Sequence, residues 1–170
     1  MARSLSFVYL FVILAISYIG GALLFREWPV TSLEQIIGLY DQRIVNGSEA
    51  ALWSPVVVTL SFILVAIILS KYKRLRFITM FLGAIKCAFF GLSSTYLLST
   101  GLKLVSYTIW WFPFQLISCL LFLILCSVLN PPFFAAPANK KDRPLTAVPP
   151  LIALLLITQI LELSIFHFIK

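Results

Sequence analysis

"FLGAIKCAFFGL", residues 81–92, decides how this chain is read. The stretch lies inside an apolar run from 77 to 98. Roughly 20 residues rising 1.5 Å each cross a hydrocarbon core about 30 Å thick, so the run is long enough to span a bilayer. In a soluble protein Lys86 would mark the wet face of a helix. No other charge falls between Phe77 and Leu98, so this helix has no wet face and its lysine stands among apolar residues. A second pattern runs through the same segment. Gly83, Cys87 and Gly91 recur every fourth residue, the small-xxx-small stripe that lets another helix approach closely. Lys86 lies one helical step beside that stripe, so the charge and the stripe address the same neighbours.

Four further apolar stretches appear on either side, at about 7–25, 51–70, 105–129 and 151–169. The five together predict an all-α integral membrane protein, a single membrane domain over 1–170. The composition agrees. Of 170 residues, 61% are hydrophobic and 11% charged, against about 25% charged in average soluble domains. The first stretch follows Arg3 as a signal peptide would. Its 19 apolar residues exceed the roughly 7–15 of a signal core, so an uncleaved anchor is expected. Pro55 suits a first helical turn. Pro113 lies deeper in its stretch and is expected to kink the helix or to mark a partly re-entrant start.

The net charge is +7. The basic residues sit mainly in short connections, which argues against nucleic acid as a partner and for a topological role. Arg3, the "KYKRLR" loop (Lys71, Lys73, Arg74, Arg76) and the "NKKDRP" loop (Lys140, Lys141, Arg143) fall on one side. Arg26, Arg43, Lys103 and Lys170 fall on the other. The excess places the N-terminus in the cytoplasm and the C-terminus outside. Trp28, Trp53, Trp110 and Trp111 then gather near the outer interface, where indoles favour the headgroup region.

The long polar connection after the first span carries a helix signal of its own over 31–46. Thr31 with Glu34, or Ser32 with Gln35, fits a capping box. Leu33, Ile36, Ile37, Tyr40 and Ile44 share one face, while Glu34, Gln35, Asp41, Gln42 and Arg43 take the other. An amphipathic helix on the outer surface, or capping the bundle, is expected. Its apolar residues are also the candidate docking surface for an extracytoplasmic partner. "NGS" at 46–48 matches a glycosylation acceptor, a short motif that carries little weight beside a turn reading.

Glu162 is the one acid within an apolar run, eleven residues into its stretch. Lys86 is nine residues into its own, and both helices run in the same direction. The two depths agree within about one helical turn. A charge so deep costs at least about 2.5–3.5 kcal/mol and should find a partner. Gln159 and Thr158 share a face with Glu162, and Gln115 lies near mid-depth. Lys86, Gln115, Gln159 and Glu162 are therefore expected to form one buried polar cluster around a Lys86–Glu162 ion pair. Interhelical glue is the favoured role, and an ion or proton path is the alternative.

Cys87, Cys119 and Cys126 all lie in apolar runs without a CxxC, which fits packing rather than metal or redox chemistry. The chain has no HExxH, no GxSxG and no paired membrane aspartates. Ser93 and Ser94 stand two turns from Lys86, too far along the helix for a Ser/Lys dyad. No catalytic residue, metal or cofactor is expected.

"KCAFFG" (Lys86 to Gly91), "WFPFQLI" (Trp111 to Ile117), the amphipathic "SLEQIIGLYDQRI" and the order of spans together resemble the stage II sporulation protein M family. That family has a lysine–glycine element in a central helix, followed at a similar distance by a proline–glutamine element. Lys86 and Gly91 match the first element, and Pro113 and Gln115 the second. Cys87 stands where the family has glycine, and Phe114 separates a proline and glutamine that are adjacent there. The resemblance implies a non-enzymatic bacterial membrane scaffold that recruits and supports peptidoglycan-degrading partners during engulfment. A small transporter or permease subunit built on the Lys/Glu/Gln cluster is the alternative.

Overall fold

The computed structural model describes residues 2–46, 53–72, 75–100, 107–130 and 145–169. Lys73, Arg74, Lys103, Lys140, Lys141, Arg143 and Lys170, with Gly47 and Ser48 of the acceptor motif, lie outside the described residues. Every element among the described residues is helical. The order is α1 (Ala2–Glu27), α2 (Val30–Tyr40), α3 (Gln42–Asn46), α4 (Ser54–Lys71), α5 (Arg76–Ser99), a π-turn (Tyr107–Trp111), α6 (Phe112–Leu129), a 3-10 turn (Leu145–Ala147) and α7 (Val148–Ile169). Five helices are long and apolar enough to cross a membrane: Phe7–Glu27, Ser54–Lys71, Phe77–Ser99, Tyr107–Leu129 and Val148–Phe168. The chain is an all-α, multi-pass membrane protein.

Prolines punctuate the starts. Pro55 lies in the first turn of α4, and Pro149 and Pro150 follow the 3-10 turn at the head of α7. In those positions the missing N–H has no intrahelical acceptor to lose. Pro113 acts at a junction. Residues 107–111 form a π-turn, and Pro113 enters the first turn of α6. A proline inside a continuous α-helix would drive its ring into the carbonyl four residues back, and the wider turn relieves that clash.

The connection after α1 differs from one helix over 31–46. It is a hairpin of two short helices broken at Asp41, whose backbone is extended at φ −152° and ψ 104°. The capping box does not form. Helix α2 starts at Val30 behind Pro29, without a side-chain cap, because Pro29 already fixes the entry. Glu34 instead accepts a hydrogen bond from the Tyr96 hydroxyl, 3.1 Å away on α5.

Contacts set the helix directions. The Tyr18 ring lies 4.9 Å from that of Phe90, and Phe25 6.4 Å from Tyr96, so α1 and α5 run the same way. Ser94 bonds Tyr107 while Gly83 packs on Leu123, so α6 runs opposite to α5. Gln115 meets Glu162 and Trp110 meets Phe166, so α7 runs opposite to α6. The C-terminal ends of α1, α5 and α7 therefore share one end of the bundle, and the α2–α3 hairpin is set into that end.

The small-residue stripe on α5 serves two neighbours. A Cβ on Gly91 would lie 2.0 Å from the Tyr18 carbonyl oxygen of α1, and a Cβ on Gly21 would lie 1.9 Å from that of Ala88. Each glycine thus seats the other helix's backbone, the closest approach two helices can make. Gly83 turns to α6, against Leu123 and Cys126, and Cys87 is fully buried in the same core. Outward faces remain apolar and open: Phe11, Ile16 and Ile19 on α1, Ile157, Ile160 and Leu161 on α7. Faces of this kind suit hydrocarbon rather than water.

Candidate functional site: a buried charge network under the hairpin

Asp41 and Arg43 build the centre of the site. The break at Asp41 frees its carboxylate to accept from the Arg43 backbone N–H at 3.0 Å, an N-cap-like bond at the head of α3. The Arg43 side chain folds back on the same carboxylate, with Nε at 2.9 Å from Oδ1 and Nη2 at 2.7 Å from Oδ2. This is the bidentate fork that a guanidinium forms and an ammonium does not. The same Nη2 donates to Glu162 Oε1 on α7. Trp110 and Phe166 place ring centroids 5.6 and 5.3 Å from the guanidinium carbon. The cation is therefore held by two carboxylates and two aromatic faces.

The network then spreads through the glutamines. Glu162 Oε2 accepts from Gln115 Nε2 at 3.1 Å and from Gln159 Nε2 at 3.4 Å. Gln115 Oε1 in turn accepts from the Tyr40 hydroxyl at 3.1 Å. Asp41, Arg43, Gln115, Gln159 and Glu162 are all buried. Burial works against the Arg43 cation, but the bond to Asp41 and the attraction of Glu162 and Asp41 outweigh it, so its pKa stands above the ordinary value. Burial, with the negative field of nearby groups, also holds the Tyr40 phenol well above its usual range. Tyr40 thus stays a neutral donor to Gln115.

Lys86 stands apart from the ion pair expected for it. Its Nζ donates to Thr59 Oγ1 on α4 at 3.4 Å and sits 5.6 and 5.5 Å from the ring centroids of Phe62 and Phe122. The salt bridge of Glu162 is made with Arg43 instead. Matching depth along two helices says nothing about which way each side chain turns. Lys86 turns toward α4, and the hairpin delivers a better-shaped cation to Glu162. Gln115, Gln159 and Glu162 are brought together as one group, with Lys86 beside it.

The periodicity over 31–46 places Asp41 and Arg43 on the wet face of a single helix, and Thr59 reads only as part of an apolar span. The available signal was an Asp–x–Arg at a helix break, where the Asp can cap and the Arg can return to it. The apolar face takes the bundle-capping role, one of the two expected for it, and not the partner-docking one. Leu33, Ile37, Tyr40 and Ile44 are buried in the bundle and Ile36 packs against the same core. The bundle itself occupies the surface expected to dock a partner. Thr31, Gln35, Leu39 and Gln42 point outward in its place.

Beside the network, a cavity lined by Tyr40, Asp41, Thr59, Gln115 and Gln159 is too tight to admit a water. Among the described residues no three His, Cys, Asp or Glu side chains converge on one point. Comparison with protein-family models, curated proteins and solved structures finds no match.

Proposed function

We propose that this chain is a non-enzymatic membrane scaffold of a bacterial cytoplasmic membrane, N-terminus inside, of the kind its resemblance to stage II sporulation protein M implies. The observation that carries the reading is the closed character of the network. Asp41, Arg43, Glu162, Gln115 and Tyr40 bond chiefly to one another, with Arg43 Nη1 buried and unpartnered, and the adjoining cavity is too tight to admit a water. A transport path needs groups that can trade partners with water or cargo. Groups locked together fix helix register and orientation, the best-attested use of buried polar contacts. Here they hold the outer hairpin rigidly on α6 and α7, which presents Thr31, Gln35, Leu39 and Gln42 as a fixed surface to cell-wall remodelling enzymes.

The test pairs two measurements. A photo-crosslinker at Gln35 or Gln42 in sporulating cells should capture peptidoglycan-degrading enzymes. Purified protein in liposomes should pass no ion or solute. Flux that disappears in Lys86→Ala would overturn the scaffold in favour of a small transporter or permease subunit.

A further inference from the structure

Helices α1 and α4 flank α5 without closing over it. Helix α1 is drawn to α5 at Gly21 and Gly91, and α4 is held to it by the Thr59–Lys86 bond. Between them lies a groove of about 590 Å³. Its floor is Ile85, Ala88 and Phe89 of α5, its walls are Leu24 of α1 and Phe62 of α4, and Tyr40 closes one end. We propose that this groove binds a single hydrocarbon chain of a bilayer lipid, lying along one leaflet.

Size selects the occupant. A volume of about 590 Å³ falls in the range of small-molecule sites, and an extended acyl chain is narrow enough to lie in it. Depth agrees with a lipid tail. Trp28 stands at the mouth, half-exposed beyond the last turn of α1, where an indole marks the interface. Ile85 is fourteen residues from the Ser99 end of α5, about 21 Å deeper. The groove thus runs from the headgroup level through one leaflet, and it opens sideways where the surrounding medium is hydrocarbon.

The walls are braced rather than slack. Tyr40 stacks on Phe89 with centroids 5.2 Å apart and planes 9° apart, and its hydroxyl is held by Gln115. Phe62 is edge-on to Phe122 at 5.8 Å. Braced aromatic walls keep the groove from collapsing, so a chain enters a pre-formed site at little ordering cost. Tyr40 belongs to both the groove and the charge network, so an occupying chain buttresses the residue that orients Gln115. The groove shares Leu39 with the surface proposed for partners, but the readout below is lipid labelling and not partner capture or flux, so the two readings fail separately.

The full chain, reconstituted in phosphatidylethanolamine and phosphatidylglycerol vesicles, is labelled with a phospholipid bearing a mid-chain diazirine. Adducts are mapped by mass spectrometry. Adducts at Leu24, Ile85 and Phe89 should exceed those on the open face of α7 (Ile157, Leu161) by about tenfold, a preference of about 1.4 kcal/mol. Val58 of α4 also lines the groove; Val58→Trp from that wall and Ala88→Leu from the floor should each remove the excess and leave the α7 adducts unchanged. Thermal melting identifies any variant that fails to fold, and the other then decides. Equal labelling of groove and α7, which is annular lipid only, overturns the proposal. So does an excess that survives a folded groove-filling variant.

Discussion

Arg43 is the residue on which the polar interior turns. Removing one partner of a buried ion pair leaves the other charge uncompensated, at about 3–5 kcal/mol. Arg43→Met should therefore destabilise the protein by that order, as read by thermal or SDS unfolding in detergent. Glu162→Gln keeps the hydrogen bonds of Gln115 and Gln159 within reach and should cost less. The double-mutant cycle is the sharper measurement. Arg43→Met with Glu162→Gln should show coupling of about 0.5–3 kcal/mol, because the two side chains are in direct contact. Lys86→Met with Glu162→Gln should be closer to additive, since Lys86 bonds Thr59 and faces two rings. A larger coupling in the second cycle would restore the Lys86–Glu162 pair. At this scale the sequence disclosed which residues are in trouble, not how they resolve it. A buried lysine and glutamate each demand a partner, but Arg43 becomes visible as one only when the hairpin is folded into the bundle.

Among the elements, α1 and α5 are governed by two glycines. In lipid the hydrophobic effect does not drive helices together, so close packing carries the association. Gly21→Ala and Gly91→Ala would each set a Cβ about 2 Å from a backbone carbonyl oxygen, which cannot move without its helix. Overpacking of this kind should cost about 1–3 kcal/mol or more. Gly83→Ala should be milder, because its Cβ meets the Leu123 Cδ2 at 2.7 Å, the end of a flexible side chain. Gly20→Ala meets nothing within 4 Å and should be neutral. That order, measured by melting in a single detergent, checks the crossing. A uniform effect across the four would refute it. The stripe of Gly83, Cys87 and Gly91 was legible as a packing surface from its spacing alone. That it splits between α6 and α1 was not, and Gly21 gave no sign of its role, because a lone glycine pair in an apolar run has no periodic partner.

For the whole molecule, the positive-inside rule predicts the side on which each connection lies. A cysteine introduced at position 74 or 141 should react with an impermeant maleimide only from the cytoplasmic face. One at Gln35 or Gln42 should react only from outside. The native Cys87, Cys119 and Cys126 are buried and leave the background low. The reverse pattern would invert the topology and the docking surface with it. The number of spans, their rough limits and the helical class followed from the sequence, because hydrocarbon leaves a backbone few options. Each N–H and carbonyl must be bonded within the segment, so about 20 apolar residues imply a helix wherever they occur. That the first connection is helical and amphipathic was equally readable from its periodicity, but its break at Asp41 into two helices was not. What only the tertiary structure decided is azimuth: which way Lys86 turns, which helix Gly91 seats, and whether the hairpin lies on the membrane or is set into the bundle with Arg43 beneath it. Those outcomes depend on how five helices share one cross-section, and no property of a single helix encodes that.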